Sequence, residues 1–88
     1  MLEWGDGNLD HIARHGVSRE EAEAAMDDHH QIAAPAHDFK GERRRGTIGM
    51  TRNDRLLYVV YTVRSGRLRV VTARPATRLE RQRYGTQR

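Results

Sequence analysis

The sequence predicts one α+β domain, residues 1–88, with two N-terminal helices, a small twisted antiparallel sheet of three to four strands, and one C-terminal helix. Three observations predict this class. Apolar residues recur at helical spacing near the N-terminus. From residue 47 the pattern changes to short runs rich in Val, Tyr and Thr. A capping box formed by Thr77 and Glu80 then starts another helix.

A short break separates the two N-terminal helices. The first is predicted over residues 8–14 and ends at Gly16, since glycine is common just past a helix C-terminus. The second begins after Ser18, which forms a capping box with Glu21. The apolar faces of the two helices consist of Leu9, Ile12, Ala13, Ala22, Ala25 and Met26.

The strands occupy the second half of the chain. Three are predicted over residues 47–52, 55–64 and 67–74, joined by two-residue turns at 53–54 and 65–66. An additional short strand is expected near Gln31, before Pro35. The C-terminal helix follows Thr77 and runs through about Tyr84.

Tight turns also predict which side chains share a face of the sheet. A two-residue turn at 65–66 sets Tyr61 opposite Val70 and Leu57 opposite Arg74, and a slip of one residue would exchange the faces. The apolar face, on which the helices are expected to pack, then carries Ile48, Met50, Leu57, Val59, Val70 and, at its end, Arg74. The opposite face carries Thr51, Tyr58, Val60, Thr62, Arg64, Arg67, Arg69 and Val71.

Charge is segregated along the chain. Residues 1–42 hold three basic and ten acidic groups, whereas residues 43–88 hold thirteen arginines and two acids, so the halves carry −7 and +11, which sum to +4. A concentrated positive field on a small surface predicts a polyanionic partner. Arg64 and Arg67 are expected to face each other across a turn, with Arg69 beside them. Like charges this close destabilise a sheet, which favours a role in binding.

Composition excludes several classes of protein. The chain contains no cysteine, so disulfides and thiolate metal sites are impossible. It also lacks an apolar run of about 20 residues and a signal peptide, which predicts a cytoplasmic protein that does not engage a membrane.

Several polar residues allow both a structural and a functional interpretation. His11 and His15 have the helical spacing of a zinc pair, but no third ligand is evident, and His15 also fits a helix C-terminal cap or an acid–base group. Glu80 fits a capping residue or a catalytic carboxylate. Arg74 fits an ion-pair partner or a residue presented at a site. No metal and no cofactor are expected.

A set of motifs spread over nearly the whole chain resembles the BrnT family of ribonuclease toxins. The N-terminal part of the resemblance is Trp4, then His15-Gly16-Val17-Ser18 and Glu20-Glu21-Ala22. Glu42-Arg43 matches a pair that opens the family's sheet. The C-terminal part is Arg67-Leu68-Arg69, Thr72-Ala73-Arg74, Ala76-Thr77, Glu80 and Tyr84. Their order and spacing together carry the resemblance.

The resemblance implies a RelE-like fold, RNA cleavage, and inhibition by a cognate antitoxin. The implied partner is a BrnA-like antitoxin, with two copies of each chain in the complex, and operator DNA is contacted only through that antitoxin.

Cleavage by a ribose 2′-hydroxyl needs charge stabilisation and proton transfer. We expect Arg64, Arg69 and Arg74 to supply the charge and Tyr84 and His15 to transfer protons. The residues expected to bind RNA are Arg43, Arg45, Tyr58 and Arg67. The alternative is a noncatalytic nucleic-acid or protein-binding module that uses the same basic face. A His or Tyr beside the arginines would favour the enzyme.

Overall fold

The computed structural model describes residues 2–4 and 6–86 and confirms the α+β class. The helices are α1 (Asp6–Ala13), α2 (Arg19–Asp27) and α3 (Arg78–Gly85). The strands are β1 (Leu2–Glu3), β2 (Ile32–Ala34), β3 (Arg45–Met50), β4 (Leu56–Arg64) and β5 (Arg67–Pro75). They form one five-stranded sheet in the order β1-β5-β4-β3-β2, so the prediction of three to four strands was too low.

The strand that the sequence did not predict is β1, and it makes the sheet mixed. It runs parallel to β5, with Leu2 opposite Leu68 and Glu3 opposite Arg69. A strand of two residues has no alternation for a pattern to detect. Its consequence is electrostatic, because Glu3 becomes a neighbour of the arginines on β5.

Both predicted capping boxes are present. In α2, Ser18 Oγ accepts from the Glu21 N–H at 3.1 Å and the Glu21 carboxylate accepts from the Ser18 N–H at 3.0 Å. In α3, Thr77 and Glu80 make the same reciprocal pair. The caps fix where each helix begins, and in α3 this places the Glu80 carboxylate next to the end of β5.

The helices lie on both faces of the sheet, so the expectation that they pack on one face was wrong. The α1 and α2 side buries Ile12, Val17, Ala22, Ala25, Leu57, Val59, Val70 and Ala73. On the other side Ile48 and Leu56 are buried together with Tyr84 of α3. Ile48 and Met50 therefore lie on the face opposite to Leu57, not on the same face as predicted.

The turn between β3 and β4 explains this first difference. It contains three residues, 52–54, because Met50 pairs with Leu56 and the Thr51 N–H bonds to the Arg55 carbonyl at 2.8 Å. Asp54 occupies the left-handed region at φ 64°, which Asp tolerates better than most residues. One additional turn residue exchanges the faces of β3 relative to β4.

A β-bulge in the β4–β5 hairpin explains a second difference, which is the face on which Arg74 lies. Near the turn the register is as predicted, with Tyr61 opposite Val70. The register then shifts between Val60 and Tyr61, and Val71 is the additional residue. Arg74 consequently pairs with Tyr58 instead of Leu57, which moves it off the α1 and α2 side.

The sheet thus has two distinct faces. We call the side under α1 and α2 the helix face. We call the other the arginine face, and its members on β4 and β5 include Tyr58, Val60, Thr62, Arg64, Arg67, Arg69, Thr72 and Arg74.

Candidate functional site

Arg74 is held at the centre of a three-residue cluster on the arginine face. Its Nη1 and Nη2 donate to the two carboxylate oxygens of Glu80 at 2.8 and 3.0 Å. Its guanidinium carbon lies 4.3 Å from the centroid of the Tyr58 ring. Nη1 also donates to the Pro75 carbonyl at 3.2 Å. The bulge and the α3 capping box together create this cluster, since one places Arg74 and the other places Glu80.

One edge of the Arg74 guanidinium remains available. The Nε–H and the second N–H of Nη2 point along the same edge of the plane, and within the described residues neither has a hydrogen-bond acceptor. The side chain is 34% exposed, so solvent or a ligand can reach that edge. Two parallel N–H donors of a guanidinium match two oxygens of a phosphate.

Electrostatics fix the charge state of this pair. The hydrogen bond from Arg74 holds the pKa of Glu80 below its ordinary value, against the opposing effect of burial. The hydrogen bond to Glu80 likewise raises the pKa of Arg74. Both groups are therefore charged at neutral pH, and Glu80 is a weak base.

Tyr58 is the titratable neighbour of Arg74. Its hydroxyl donates to the Pro35 carbonyl, and burial raises the pKa of its phenol above the ordinary value. The phenol is therefore protonated at neutral pH and can donate a proton but not accept one. A tyrosine in contact with an arginine of this face is the arrangement that favours catalysis over simple binding.

The other arginines form a more exposed cluster at the turn end of the hairpin. Arg64 lies opposite Arg67 as predicted, and Arg69 lies on the same face. Within the part of the chain that the structure describes, the ion pairs of Arg67 and Arg69 are long ones to Glu3, at 3.6 and 3.9 Å. Exposed pairs of this kind contribute little to stability, so a phosphate can replace the carboxylate at low cost.

Arg64 lies closer to its acidic partner than Arg67 and Arg69 lie to theirs. Its Nη2 donates to Glu42 Oε2 at 2.8 Å, and Glu42 comes from the loop between β2 and β3. This bond connects the loop to the arginine face.

Four predicted site residues lie elsewhere or have other partners. His15 is exposed beyond the end of α1, on the side of the helix face. Arg45 lies opposite Tyr61 and therefore also projects from the helix face. Arg43 is exposed, and its backbone carbonyl accepts a hydrogen bond from the Thr62 hydroxyl at 2.9 Å. Tyr84 is buried and its hydroxyl donates to Asp28 Oδ2 at 2.7 Å.

Asp28 is the structural residue that sequence reasoning missed. Besides Tyr84, its carboxylate accepts from the backbone N–H of Met50 at 2.8 Å and of His30 at 2.9 Å. Burial acts to raise the pKa of Asp28, but these hydrogen bonds outweigh it and hold the value below the ordinary one. An acid at the C-terminus of α2 interacts unfavourably with the helix dipole. The hydrogen bonds that Asp28 accepts from β3 and α3 explain why an acid is present there.

Metal-binding geometry is not evident in the described part of the chain. His11 and His15 lie with their ring centroids 5.8 Å apart, but within residues 2–4 and 6–86 no group of three His, Asp or Glu could hold an ion. Across the same residues, none of the helices has the length and apolar character that a membrane crossing demands.

Comparison with known proteins identifies the family. Residues 4–80 match the model of the ribonuclease toxin BrnT of type II toxin–antitoxin systems. No individually curated protein matches the chain. The match covers most of the sequence, including Arg64, Arg69, Arg74 and Glu80. The chain therefore belongs to the BrnT family of ribonuclease toxins, and a cognate antitoxin is its partner.

Proposed function

We propose that this chain is a metal-independent endoribonuclease whose arginine face cleaves single-stranded RNA. The observation that carries the proposal is the free edge of Arg74, presented beside Tyr58 and on the same face as Arg64, Arg67 and Arg69. The exposed arginines bind successive phosphates, and Arg74 contacts the phosphate that reacts.

The reaction is a transfer within the RNA strand. A ribose 2′-oxygen attacks the adjacent phosphorus, the bond from phosphorus to the 5′-oxygen breaks, and the products carry a 2′,3′-cyclic phosphate and a 5′-hydroxyl. Negative charge accumulates on the phosphate oxygens in the transition state. Two donors on the free edge of Arg74 stabilise that charge, and losing one such donor typically costs about 100-fold or more.

Tyr58 is the group we assign to proton transfer. It is protonated at neutral pH and lies beneath Arg74, so it can donate to the leaving 5′-oxygen, while the proton of the 2′-hydroxyl passes to solvent. When RNA binds, the hydroxyl of the half-buried Tyr58 exchanges the Pro35 carbonyl for the leaving oxygen. This assignment replaces Tyr84, which is buried with its hydroxyl on Asp28, and His15, which lies on the other side of the sheet.

The antitoxin is proposed to be BrnA-like, with two copies of each chain and with DNA contacted only through the antitoxin. Its contact surface is expected to be acidic, because complementary charge speeds association with an arginine-rich surface. Covering the arginine face would exclude RNA and so neutralise the toxin.

The proposal is tested with a short RNA of defined cleavage site, in the presence of a chelator. Cleavage should persist, should leave a 2′,3′-cyclic end, and should stop when the ribose at that site is 2′-deoxy. Activity that is lost with the chelator and restored by a divalent metal would contradict the metal-free chemistry.

A Tyr58→Phe variant separates the enzyme from the binding module. It keeps the ring beside Arg74 but loses the hydroxyl bond to the Pro35 carbonyl, so thermal unfolding is measured as a control. In a protein that stays folded and still binds RNA, cleavage should fall roughly 100-fold or more, the scale of a lost general acid. Unchanged cleavage would limit Tyr58 to orienting Arg74.

A further inference from the structure

A small hairpin in the loop between β2 and β3 presents an aromatic ring to solvent. The Phe39 and Glu42 backbones exchange two hydrogen bonds, at 3.0 and 2.9 Å, around a turn formed by Lys40 and Gly41. Both turn residues have positive φ, 48° and 80°, the geometry of a tight type I′ turn. The Phe39 side chain is 50% exposed, although burying such a ring would stabilise the fold.

Cations flank this exposed ring. The Arg44 guanidinium carbon lies 4.7 Å from the ring centroid and the Lys40 ammonium lies 5.2 Å from it. Arg44 is anchored, because its Nε donates to Glu42 at 3.4 Å and its backbone N–H donates to Asp38 at 3.1 Å. Lys40 is exposed and has no other partner among the described residues, so it is free to move away from the ring.

The hairpin is fixed beside the arginine face at both of its ends. Glu42 accepts from Arg64 as well as from Arg44, so a chain of contacts runs from the Phe39 ring through Arg44 and Glu42 to Arg64. Before the hairpin, the Pro35 carbonyl accepts from the Tyr58 hydroxyl. The ring thus continues the surface on which the phosphates are proposed to lie.

We propose that Phe39 is a stacking platform for one base of a single-stranded RNA whose backbone follows Arg64, Arg67 and Arg69. An aromatic face stacks on any base, and neighbouring cations pair with the flanking phosphates. Lys40 leaves the ring as the base arrives and meets a phosphate. This inference rests on the proposed function and adds to it a base-binding subsite outside the catalytic cluster.

The combination of ring and cations favours a nucleic acid over a protein partner at this position. Stacking platforms for single strands join aromatic rings to a positive groove that follows the backbone, and both features occur here in contact. An acidic antitoxin would pair with the cations, whereas a nucleic acid uses the cations and the ring together, the cations through its phosphates and the ring through a base.

The test uses two uncleavable probes of equal length and charge. One is a single-stranded 2′-O-methyl oligoribonucleotide that carries 2-aminopurine, whose fluorescence falls on stacking, and the other is the same backbone without bases. The wild-type protein should bind the first more tightly and quench it. Phe39→Leu should weaken its binding roughly tenfold and abolish the difference between the probes. Phe39→Trp should preserve both effects.

Two controls distinguish stacking from folding and from charge. Leu79→Ala removes another exposed apolar side chain, 67% exposed on α3, and should change neither affinity nor quenching. The thermal unfolding midpoint should be the same for Phe39→Leu and Leu79→Ala. The salt dependence of binding should be unchanged in Phe39→Leu, because stacking releases no counterions, whereas Arg69→Ala should reduce it.

The outcomes separate this subsite from the proposed function. If the wild-type protein binds both probes equally, with steep salt dependence, the stacking platform is overturned and the arginine face stands. If it binds neither probe, both proposals fail. If Phe39→Leu binds the probes like the wild type but loses neutralisation by the antitoxin, the ring belongs to the protein interface and the inference is wrong.

Discussion

The helix face and the arginine face are built from the same two strands but serve opposite purposes. On the helix face, Leu57, Val59 and Val70 are completely buried beneath α1 and α2. On the arginine face, Arg64 and Arg67 are exposed and Arg69 is partly exposed. Alternating side chains allow one strand to serve a core and a binding surface at once. The difference shows that the larger part of the apolar core lies on one side and the arginine cluster on the other.

The bulge at Val71 is what makes this division complete. With regular pairing, Arg74 would lie opposite Leu57 and project among the apolar side chains of the helix face. The additional residue turns it to the arginine face, where Tyr58 and Glu80 receive it. Bulges commonly re-aim side chains near functional sites, and this one adds a fourth arginine to a surface that already has three.

The largest expected effect comes from removing Arg74. Arg74→Ala should lower RNA cleavage about 100-fold or more, because the transition-state charge loses its donors. Stability should change little, since the ion pair with Glu80 is partly exposed and the larger apolar cluster lies on the helix face. Cleavage rate and thermal unfolding are the two measurements.

Arg74→Lys is the chemical control for this prediction. It keeps the positive charge but not the two parallel donors, so it should restore little activity. An Arg74→Ala protein that unfolds readily would show that Arg74 is an internal structural partner, and the division between the faces would be broken.

The next effect concerns stability at the edge where α2, β3 and α3 meet. Asp28→Asn replaces a carboxylate that accepts three hydrogen bonds with an amide, which leaves at least one of the three donors poorly satisfied. The free energy of unfolding should therefore fall by about 1–3 kcal/mol. Asp27→Asn, at an exposed neighbouring position, is the matched control and should be neutral.

The contribution of Asp28 should also depend on pH. Its folded pKa lies below the ordinary value of 3.8, so the stabilisation is complete above that pH and is lost as the pH falls through the folded pKa. Thermal unfolding of Asp28→Asn should therefore converge with the wild type in acid. A constant difference between the two proteins down to low pH would remove the carboxylate from this explanation.

Salt dependence compares the two faces directly. Arg69→Ala should weaken binding to a single-stranded oligonucleotide and reduce the slope of log affinity against log salt by roughly one phosphate contact. Arg45→Ala removes an exposed arginine from the helix face and should leave that slope unchanged. Equal changes in both variants would mean that RNA passes around the edge of the sheet and that Arg45 binds it, as the sequence suggested.

The sequence predicted where the helices begin, but it did not predict correctly on which face of the sheet several strand side chains lie. The capping boxes at Ser18 and Thr77 depend on residues three positions apart, so pattern alone located both. The faces of β3 and β5 depend on one additional residue in a turn and one in a bulge, and neither leaves a distinct signal in composition. Arg74 was consequently assigned to the wrong face.

The candidate site could be predicted from the sequence only in part, for the same reason. The cluster of Arg64, Arg67 and Arg69 lies next to a tight turn, where register is fixed, and its shared face was predicted correctly. The link between Tyr84 and Asp28 joins residues 56 positions apart, and no local pattern reports such a contact. The ring of Phe39 was not predicted as a site residue, although an aromatic residue beside Lys40 and shortly before Arg43, Arg44 and Arg45 was a signal that could have found it.

The smallest expected effect comes from Glu80, and it tests whether the carboxylate is support or catalyst. Glu80→Gln keeps an oxygen for the Thr77 N–H, so α3 should still begin at the same residue. It loses the ion pair with Arg74, but stacking on Tyr58 and the bond to the Pro75 carbonyl still hold the guanidinium. Cleavage should fall by less than about fivefold, the scale of a partly exposed ion pair. A folded Glu80→Gln protein as inactive as Arg74→Ala would make the carboxylate a participant in the reaction, and the arginine face would then work as a charged pair instead of through arginines alone.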